Sequence, residues 1–317
     1  MSSISIERIE IGVIGIGWVG SVVKKWFLKQ GWEQGKDLFC YDSDPSKTGD
    51  KDDLSRAKII FVCVPTPNYG YGSCNTSIVE SAVAQFAGSD KLMVIKSTVE
   101  PGTTERLGKK HNVVTAFNPE FLTEKNAWLD FICPSRQIIG YTDKSRPWAD
   151  ILFSLLPGFD SCFCLTLAVS AIDAEIAKYG CNVFGAMKVS FANAFAALAE
   201  SSGTNYTNIR RIMAEDSRIN DSWLDIDHGG YRGFGGYCFP KDTAALIAWA
   251  EKISEEIIAA EDGKDLERSV FYRELARMLS SIYRFNEALL ALQGLTVEQV
   301  SGHINISHIN IKGGENA

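Results

Sequence analysis

From Ile9 to about Leu165 the sequence alternates short β-rich runs with helical patterns, and this alternation limits the fold more than any other feature. Such a chain forms a parallel sheet covered by helices on both faces. The strands are predicted at Ile9–Ile14, Leu38–Tyr41, Ile59–Val64, Leu92–Ile95, Val113–Phe117, Gln137–Gly140 and Cys162–Leu165, with helices such as Val19–Gln30 and Ser77–Phe86 between them. After Leu167 the period changes. Ile172, Ile176, Tyr179, Val183, Met187, Phe191, Phe195 and Leu198 recur at intervals of three and four, which predicts one long buried helix over Ala168–Glu200. Further helices are expected at Tyr206–Glu215, Thr243–Ala260 and Leu266–Leu292, before a polar tail. The expected division is an α/β domain over 1–166, a helical domain over 167–295 and a tail over 296–317.

With 45% hydrophobic and 22% charged residues, the 317-residue chain can bury a substantial core. A net charge of −7, with basic pairs no longer than Lys24-Lys25 or Lys109-Lys110, argues against a nucleic-acid partner. The N-terminus is too short and polar for a signal peptide, and no uninterrupted apolar run approaches a bilayer span, so a cytosolic protein without membrane association is expected. Eight scattered cysteines form no C-x-x-C pair, so neither a metal site nor disulfides are expected.

Gly15-Ile16-Gly17-Trp18-Val19-Gly20 lies between the first predicted strand and the first helix. Its glycines permit a tight turn and a close approach of backbone N–H groups to a pyrophosphate. Asp42 closes the second strand 22 residues after Gly20, where its carboxylate would accept hydrogen bonds from a ribose 2′-hydroxyl and repel a 2′-phosphate. NAD is therefore the expected cofactor of a Rossmann-type, doubly wound sheet. Only sixteen residues separate Asp42 from Ile59, and Ser43–Asp53 is polar, so the usual second crossover helix and third strand are expected to be trimmed.

The segment Gly233-Phe234-Gly235-Gly236-Tyr237-Cys238-Phe239-Pro240-Lys241-Asp242 leads a glycine-rich turn into a helix. With Pro240 at the first helical position, Cys238 would sit just ahead of the helix, where the positive end of the dipole lowers a thiol pKa. Taken alone, Cys238 could equally be another buried cysteine.

The ordered set of Gly15–Gly20, Cys63-Val64-Pro65-Thr66-Pro67, Ser97-Thr98-Val99 with Pro101-Gly102-Thr103, Asn118-Pro119-Glu120-Phe121-Leu122, Ser135-Arg136 with Ile139-Gly140, Lys178 with Asn182, and the cysteine segment resembles the UDP-glucose/GDP-mannose dehydrogenase family. That resemblance implies oxidation of a nucleotide sugar's primary alcohol, UDP-glucose foremost, to the carboxylate in two NAD-dependent hydride transfers. Cys238 would be the nucleophile. Lys178 and Asn182, four apart on the long helix, would donate to an oxyanion. Asp242 would position or deprotonate water, Glu120 would be the acid/base group of thioester hydrolysis, and Thr98 would help hold the water. Cofactor contacts are implied for Gly15, Gly17, Trp18, Val19, Gly20, Asp42, Val64, Pro65, Thr66, Ser97, Thr98, Glu124 and Lys241, and sugar contacts for Phe121, Leu122, Lys178, Asn182, Arg218 and Gly235.

Arg218 resembles the arginine with which relatives reach a neighbouring subunit's substrate, although the loop Ile219–Tyr231 looks expanded here. The family packs its long helix about a two-fold axis, which implies a homodimer. Relatives carry a further nucleotide-binding α/β domain, whereas this sequence ends 75 residues after Asp242 without another strand–helix alternation, so that domain is expected to be missing. Two other readings stay open on the sequence: an NAD-binding scaffold without turnover, and a single-hydride β-hydroxyacid dehydrogenase, whose chemistry needs no cysteine.

Overall fold

The computed structural model describes residues 8–47, 51–68, 72–123, 125–158, 161–260 and 265–302. The chain divides into two units, one formed by Met1–Pro67 and Asn75–Lys178, the other by Asn68–Cys74 and Tyr179–Ala317.

The first unit holds β1 (Ile11–Ile14), α1 (Trp18–Lys29), β2 (Leu38–Tyr41), β3 (Ile59–Val62), α2 (Ser77–Ala84), β4 (Leu92–Ile95), α3 (Thr103–His111), β5 (Val114–Phe117), α4 (Ala127–Ile132), β6 (Arg136–Tyr141), α5 (Ala149–Leu155) and β7 (Leu165–Ser170). Among the described residues the sheet has seven strands in the order β2-β1-β3-β4-β5-β6-β7. The strands of its centre are unbroken apolar runs because both faces are covered. On one side Val23 and Phe27 of α1 pack with Phe131, Leu152 and Phe153; on the other Val79, Val83 and Leu107 pack with Leu54 and Val99.

The polar stretch after β2 forms two short 3₁₀ segments, Pro45–Lys47 and Lys51–Arg56, and β3 lies directly beside β1, so the expected trimming of helix and strand is what the described residues show. The sheet is not wholly parallel. β6 runs antiparallel to β5, with Phe117 opposite Gly140, and β7 then runs parallel to β6. Strand direction leaves no mark on hydrophobic period, which is why the sequence could not give it.

The last strand also corrects the sequence reading, which placed it at Cys162–Leu165 and began the long helix at Ala168. Leu165–Ser170 pairs residue for residue with Arg136–Tyr141, and the Ser170 hydroxyl accepts the Asp173 N–H at 3.2 Å. Ser170 is thus the cap that starts α6 (Ala171–Ser201), a helix that belongs to the first unit through Lys178 and to the second from Tyr179 onward. Its apolar stripe is only partly core: Tyr179 and Val183 are buried with Ala186, Val189, Ala192 and Ala196, whereas Ile172, Ile176, Phe191 and Leu198 are exposed. α6 is long and apolar enough to cross a bilayer, yet Glu175, Lys178, Lys188 and Asn193 are buried along it with hydrogen-bonding protein partners.

The second unit continues with α7 (Tyr206–Ala214), α8 (Phe239–Ala260), α9 (Leu266–Leu292) and α10 (Val297–Val300). α8 and α9 pack as an antiparallel-connected pair closed at one end by the buried Ser254–Ser269 contact. Leu290, Leu295, Val297 and Val300 bury Tyr231, and Ala192 and Ala196 of α6 pack with Tyr206 and Leu224.

Candidate active site

In the first unit the glycine turn is built as its spacing predicts, with a separate reason for each glycine. Gly15 has φ +87°, and a Cβ there would lie 2.7 Å from the Cys63 carbonyl oxygen. A Cβ on Gly20 would lie 1.8 Å from the Gly15 oxygen, so Gly20 permits α1 to pack on β1. Gly17 would meet nothing within 4 Å. Gly17 is also the N-cap of α1 and offers no side-chain acceptor, and a helix N-terminus opened by a glycine is suited to receive a phosphate. Trp18 and Val19 open the helix, and Asp42 closes β2 beside the turn, its Oδ2 accepting the Ile16 N–H at 2.6 Å and its Oδ1 the Asp44 N–H at 2.8 Å.

The ends of β3 and β4 are tied together. Thr66 donates its hydroxyl to the Thr98 carbonyl at 2.7 Å, and Ser97 donates to the Val64 carbonyl at 2.6 Å. Thr66, Ser97 and Thr98 are buried, with Pro65 between the two tied positions. Glu124 lies outside the described residues.

Beyond β5 the carboxylate of Glu120 is almost enclosed. Its Oε2 accepts the Leu122 N–H at 2.8 Å, while Lys178 donates to the Glu120 carbonyl at 2.6 Å and reaches Oε1 at 3.3 Å. Burial pushes the Glu120 pKa up, but the Lys178 ammonium and the Leu122 N–H outweigh it and hold the group below the usual glutamate value. Phe121 lies under two cations, with the Arg136 guanidinium 3.8 Å and the Lys178 ammonium 5.2 Å from its ring centroid. Behind this group Lys96 donates to Asn118 Oδ1 at 2.6 Å, and burial lowers its pKa to about 8 against the opposing influence of Cys63 and Glu120. Burial likewise pushes the thiol of Cys63, packed against the core, up to about 12. Lys96 was not foreseen; its one trace in the sequence is a lysine at the end of the apolar run Leu92–Ile95.

In the second unit the cysteine segment starts α8 at Phe239, so Pro240 is the second helical residue, one place later than the sequence suggested. The Cys238 carbonyl accepts the Asp242 N–H at 2.8 Å, the first bond of the helix, and Cys238 is therefore its capping residue, partly exposed. Asp242 is fully buried. Its Oδ2 accepts from Asn182 Nδ2 at 2.6 Å and its Oδ1 from Lys241 Nζ at 2.5 Å. Burial works against the Lys241 ammonium, yet the Asp242 carboxylate and the thiols of Cys74 and Cys238 hold its pKa above the ordinary lysine value. Asn68 donates to the Lys241 carbonyl at 3.1 Å. Lys241, expected at the cofactor, is thus seen paired with Asp242.

Gly235 is required by crowding, since a Cβ would sit 2.2 Å from the Tyr231 hydroxyl. Arg218 is exposed and forms a local ion pair with Asp216 at 2.7 Å. The loop after it takes left-handed backbone at Asn220 and Trp223, is pinned by Lys188 bonding to the Ile219 carbonyl at 2.8 Å, and packs Trp223 edge-on against Phe239. Among the described residues no group of acidic, histidine and cysteine side chains is arranged to hold a metal.

Residues 45–153 match the profile of the UDP-glucose/GDP-mannose dehydrogenase family, NAD binding domain, and residues 172–264 that of the same family's central domain. A UDP-glucose 6-dehydrogenase of Rickettsia bellii is 32% identical over 81% of this chain, and one of Pseudomonas aeruginosa 33% identical over 76%. The matched stretches cover 60% and 55% of those relatives' own lengths. The solved UDP-glucose dehydrogenase of Pyrobaculum islandicum superposes with a TM-score of 0.73 at 26% identity, covering 93% of this chain and 72% of that one. With both profiles in order along the chain, the protein belongs to the UDP-glucose/GDP-mannose dehydrogenase family and carries its NAD-binding domain.

Proposed function

We propose that this chain oxidises the primary alcohol of a nucleotide sugar, UDP-glucose foremost, to the carboxylate, with Cys238 carrying the intermediate. The observation that carries this reading is the placement of Cys238 at the start of α8, one helical turn before a fully buried Asp242 that is bonded to both Asn182 and Lys241. NAD, when bound, accepts one hydride in each of two oxidations. The first turns the alcohol into an aldehyde, and the Cys238 thiolate adds to that carbon to give a thiohemiacetal. Loss of the second hydride leaves a thioester on Cys238. Water then attacks the acyl carbon, and the thiolate departs as the carboxylate forms.

Each residue has a matching task. Lys178 and Asn182, one turn apart on α6, supply an ammonium and an amide donor to the oxygen that gains charge when carbon is attacked. Asp242 and Glu120 are carboxylates held ready to orient or deprotonate water, Glu120 kept ionised by Lys178, and Thr98 helps to hold that water. Gly15, Gly17, Gly20, Trp18 and Val19 bind the pyrophosphate, Asp42 the ribose, and the tied Val64–Thr66 and Ser97–Thr98 ends the rest of the cofactor. Phe121, Leu122 and Gly235 line the sugar. The protein acts as a homodimer through α6, whose Ile172, Ile176, Phe184, Phe191 and Leu198 are exposed.

The test is NADH release by the purified chain with UDP-glucose, GDP-mannose and UDP-N-acetyl sugars in parallel. Release with one sugar, absent from Cys238→Ala, supports the reading; release undiminished in Cys238→Ala rejects it.

A further inference from the structure

We propose that α9 is a clamp that positions the Cys238 thiol, acting through two side-chain amides, Asn286 and Gln293, that grip alternate residues of the glycine turn. This inference rests on the reading of Cys238 as a nucleophile. Gln293, at the end of α9, accepts the Arg232 N–H at 2.7 Å and donates to the Arg232 carbonyl at 2.8 Å. Asn286 repeats the motif two residues along, accepting the Phe234 N–H at 2.7 Å and donating to the Phe234 carbonyl at 2.9 Å. The Gly236 N–H donates to the Val300 carbonyl of α10 at 2.8 Å. Residues 232, 234 and 236 thus each have their N–H groups bonded from α9 or α10, although the backbone between them turns at Gly233 (φ +110°) and Gly236 (φ +72°). Two amides seven residues apart, with one carbonyl from α10, fix alternate residues of the turn.

The closeness of the clamp explains the glycines. A Cβ at Gly233 would lie 2.6 Å from Asn286 Oδ1, and one at Gly235 would lie 2.6 Å from the Val300 oxygen. What reads in the sequence as a flexible turn is a segment held so tightly that only glycine fits. Between the last clamp bond, at Gly236, and the first bond of α8, at the Cys238 carbonyl, only Tyr237 intervenes. The cysteine is therefore held from both sides, and its relation to the N-terminal N–H groups of α8 depends on residues at the far end of α9. Asn286 is buried, so its two bonds are not replaceable by water. Asn286 and Gln293 are positioning residues.

The experiment is the rate of Cys238 alkylation by iodoacetamide from pH 5.5 to 9, followed by peptide mass spectrometry in the full chain. Asn286→Ala and Gln293→Ala are compared with Leu279→Ala, which removes a buried α9 side chain that does not bond the turn. In the two amide variants the midpoint of the pH profile moves up by roughly one unit, so that the rate at pH values well below the midpoint falls about tenfold, while Leu279→Ala lowers the melting temperature and leaves the profile in place. Should Asn286→Ala not fold, the half-buried Gln293→Ala decides. An unmoved profile in the amide variants, or an equal shift in Leu279→Ala, overturns the clamp. Because alkylation needs no turnover, a chain inactive on every sugar with an Asn286-sensitive profile would reject the dehydrogenase reading alone, and an active chain with an insensitive profile would reject the clamp alone.

Discussion

Asn182 of α6 and Asp242 of α8 are joined by a 2.6 Å hydrogen bond from amide to carboxylate, with the carboxylate fully buried. Asp242→Asn keeps an oxygen that can accept this bond but removes the charge. On the proposed mechanism, turnover in this variant falls by about 10²- to 10⁴-fold, as loss of a general base does elsewhere, while the rise in melting temperature caused by NAD is retained. Steady-state kinetics and thermal shift, measured on the same preparation, separate the two effects.

Gly17 and Gly20 predict opposite failures. Gly20→Ala forces a Cβ to 1.8 Å from a carbonyl oxygen and abolishes a stable first unit. Gly17→Ala meets no neighbour, so its melting temperature without cofactor stays within about 1 °C of wild type while NAD affinity drops about tenfold or more. Calorimetric titration with NAD checks the pair, and an unchanged affinity in Gly17→Ala would place the pyrophosphate elsewhere.

Glu120 is enclosed by Lys178 and the Leu122 N–H, and on the proposed mechanism it acts in the last step, thioester hydrolysis. Glu120→Gln therefore permits both hydride transfers and stalls afterwards. Intact-protein mass spectrometry is expected to find an acyl adduct on Cys238 and a single burst of NADH. An unmodified protein with a proportional loss in every phase would remove Glu120 from that step.

Glu175 caps the N-terminus of α3, its carboxylate accepting the Thr104 N–H at 2.9 Å and the Thr104 hydroxyl at 2.6 Å, yet burial raises its pKa to about 7. In the unfolded chain the group releases its proton near the ordinary glutamate value. Between those two pKa values the folded state binds more protons, so this group's contribution to stability is complete below the unfolded pKa and declines as pH rises to about 7. The decline is on the order of 3 kcal/mol. Urea unfolding from pH 4 to 8 should show it in wild type and a flatter profile in Glu175→Gln.

The parts of this molecule that were legible in the sequence are those fixed locally. The β runs, Gly15–Gly20, Asp42, the trimmed stretch after β2 and the limits of α9 follow from period and turn chemistry. What was missed depends on distant partners. The Leu165–Ser170 strand is defined by pairing with Arg136–Tyr141, and Ile172 or Leu198 looks like core by period while lying exposed. Lys96, Glu175, Asn286 and Gln293 are common polar residues until the fold brings Asn118, Thr104, Phe234 and Arg232 to them. For the same reason the pairing of Lys178 with Glu120 was not read from the sequence, where the family resemblance implied an oxyanion donor.

The central claim is a four-electron oxidation held on Cys238, and the stoichiometry of reduced cofactor to consumed sugar tests it most directly. Two NADH per sugar, with the carboxylate as product and none formed by Cys238→Ala, is the predicted result. One NADH per sugar with turnover intact in Cys238→Ala would contradict it and indicate single-hydride chemistry instead.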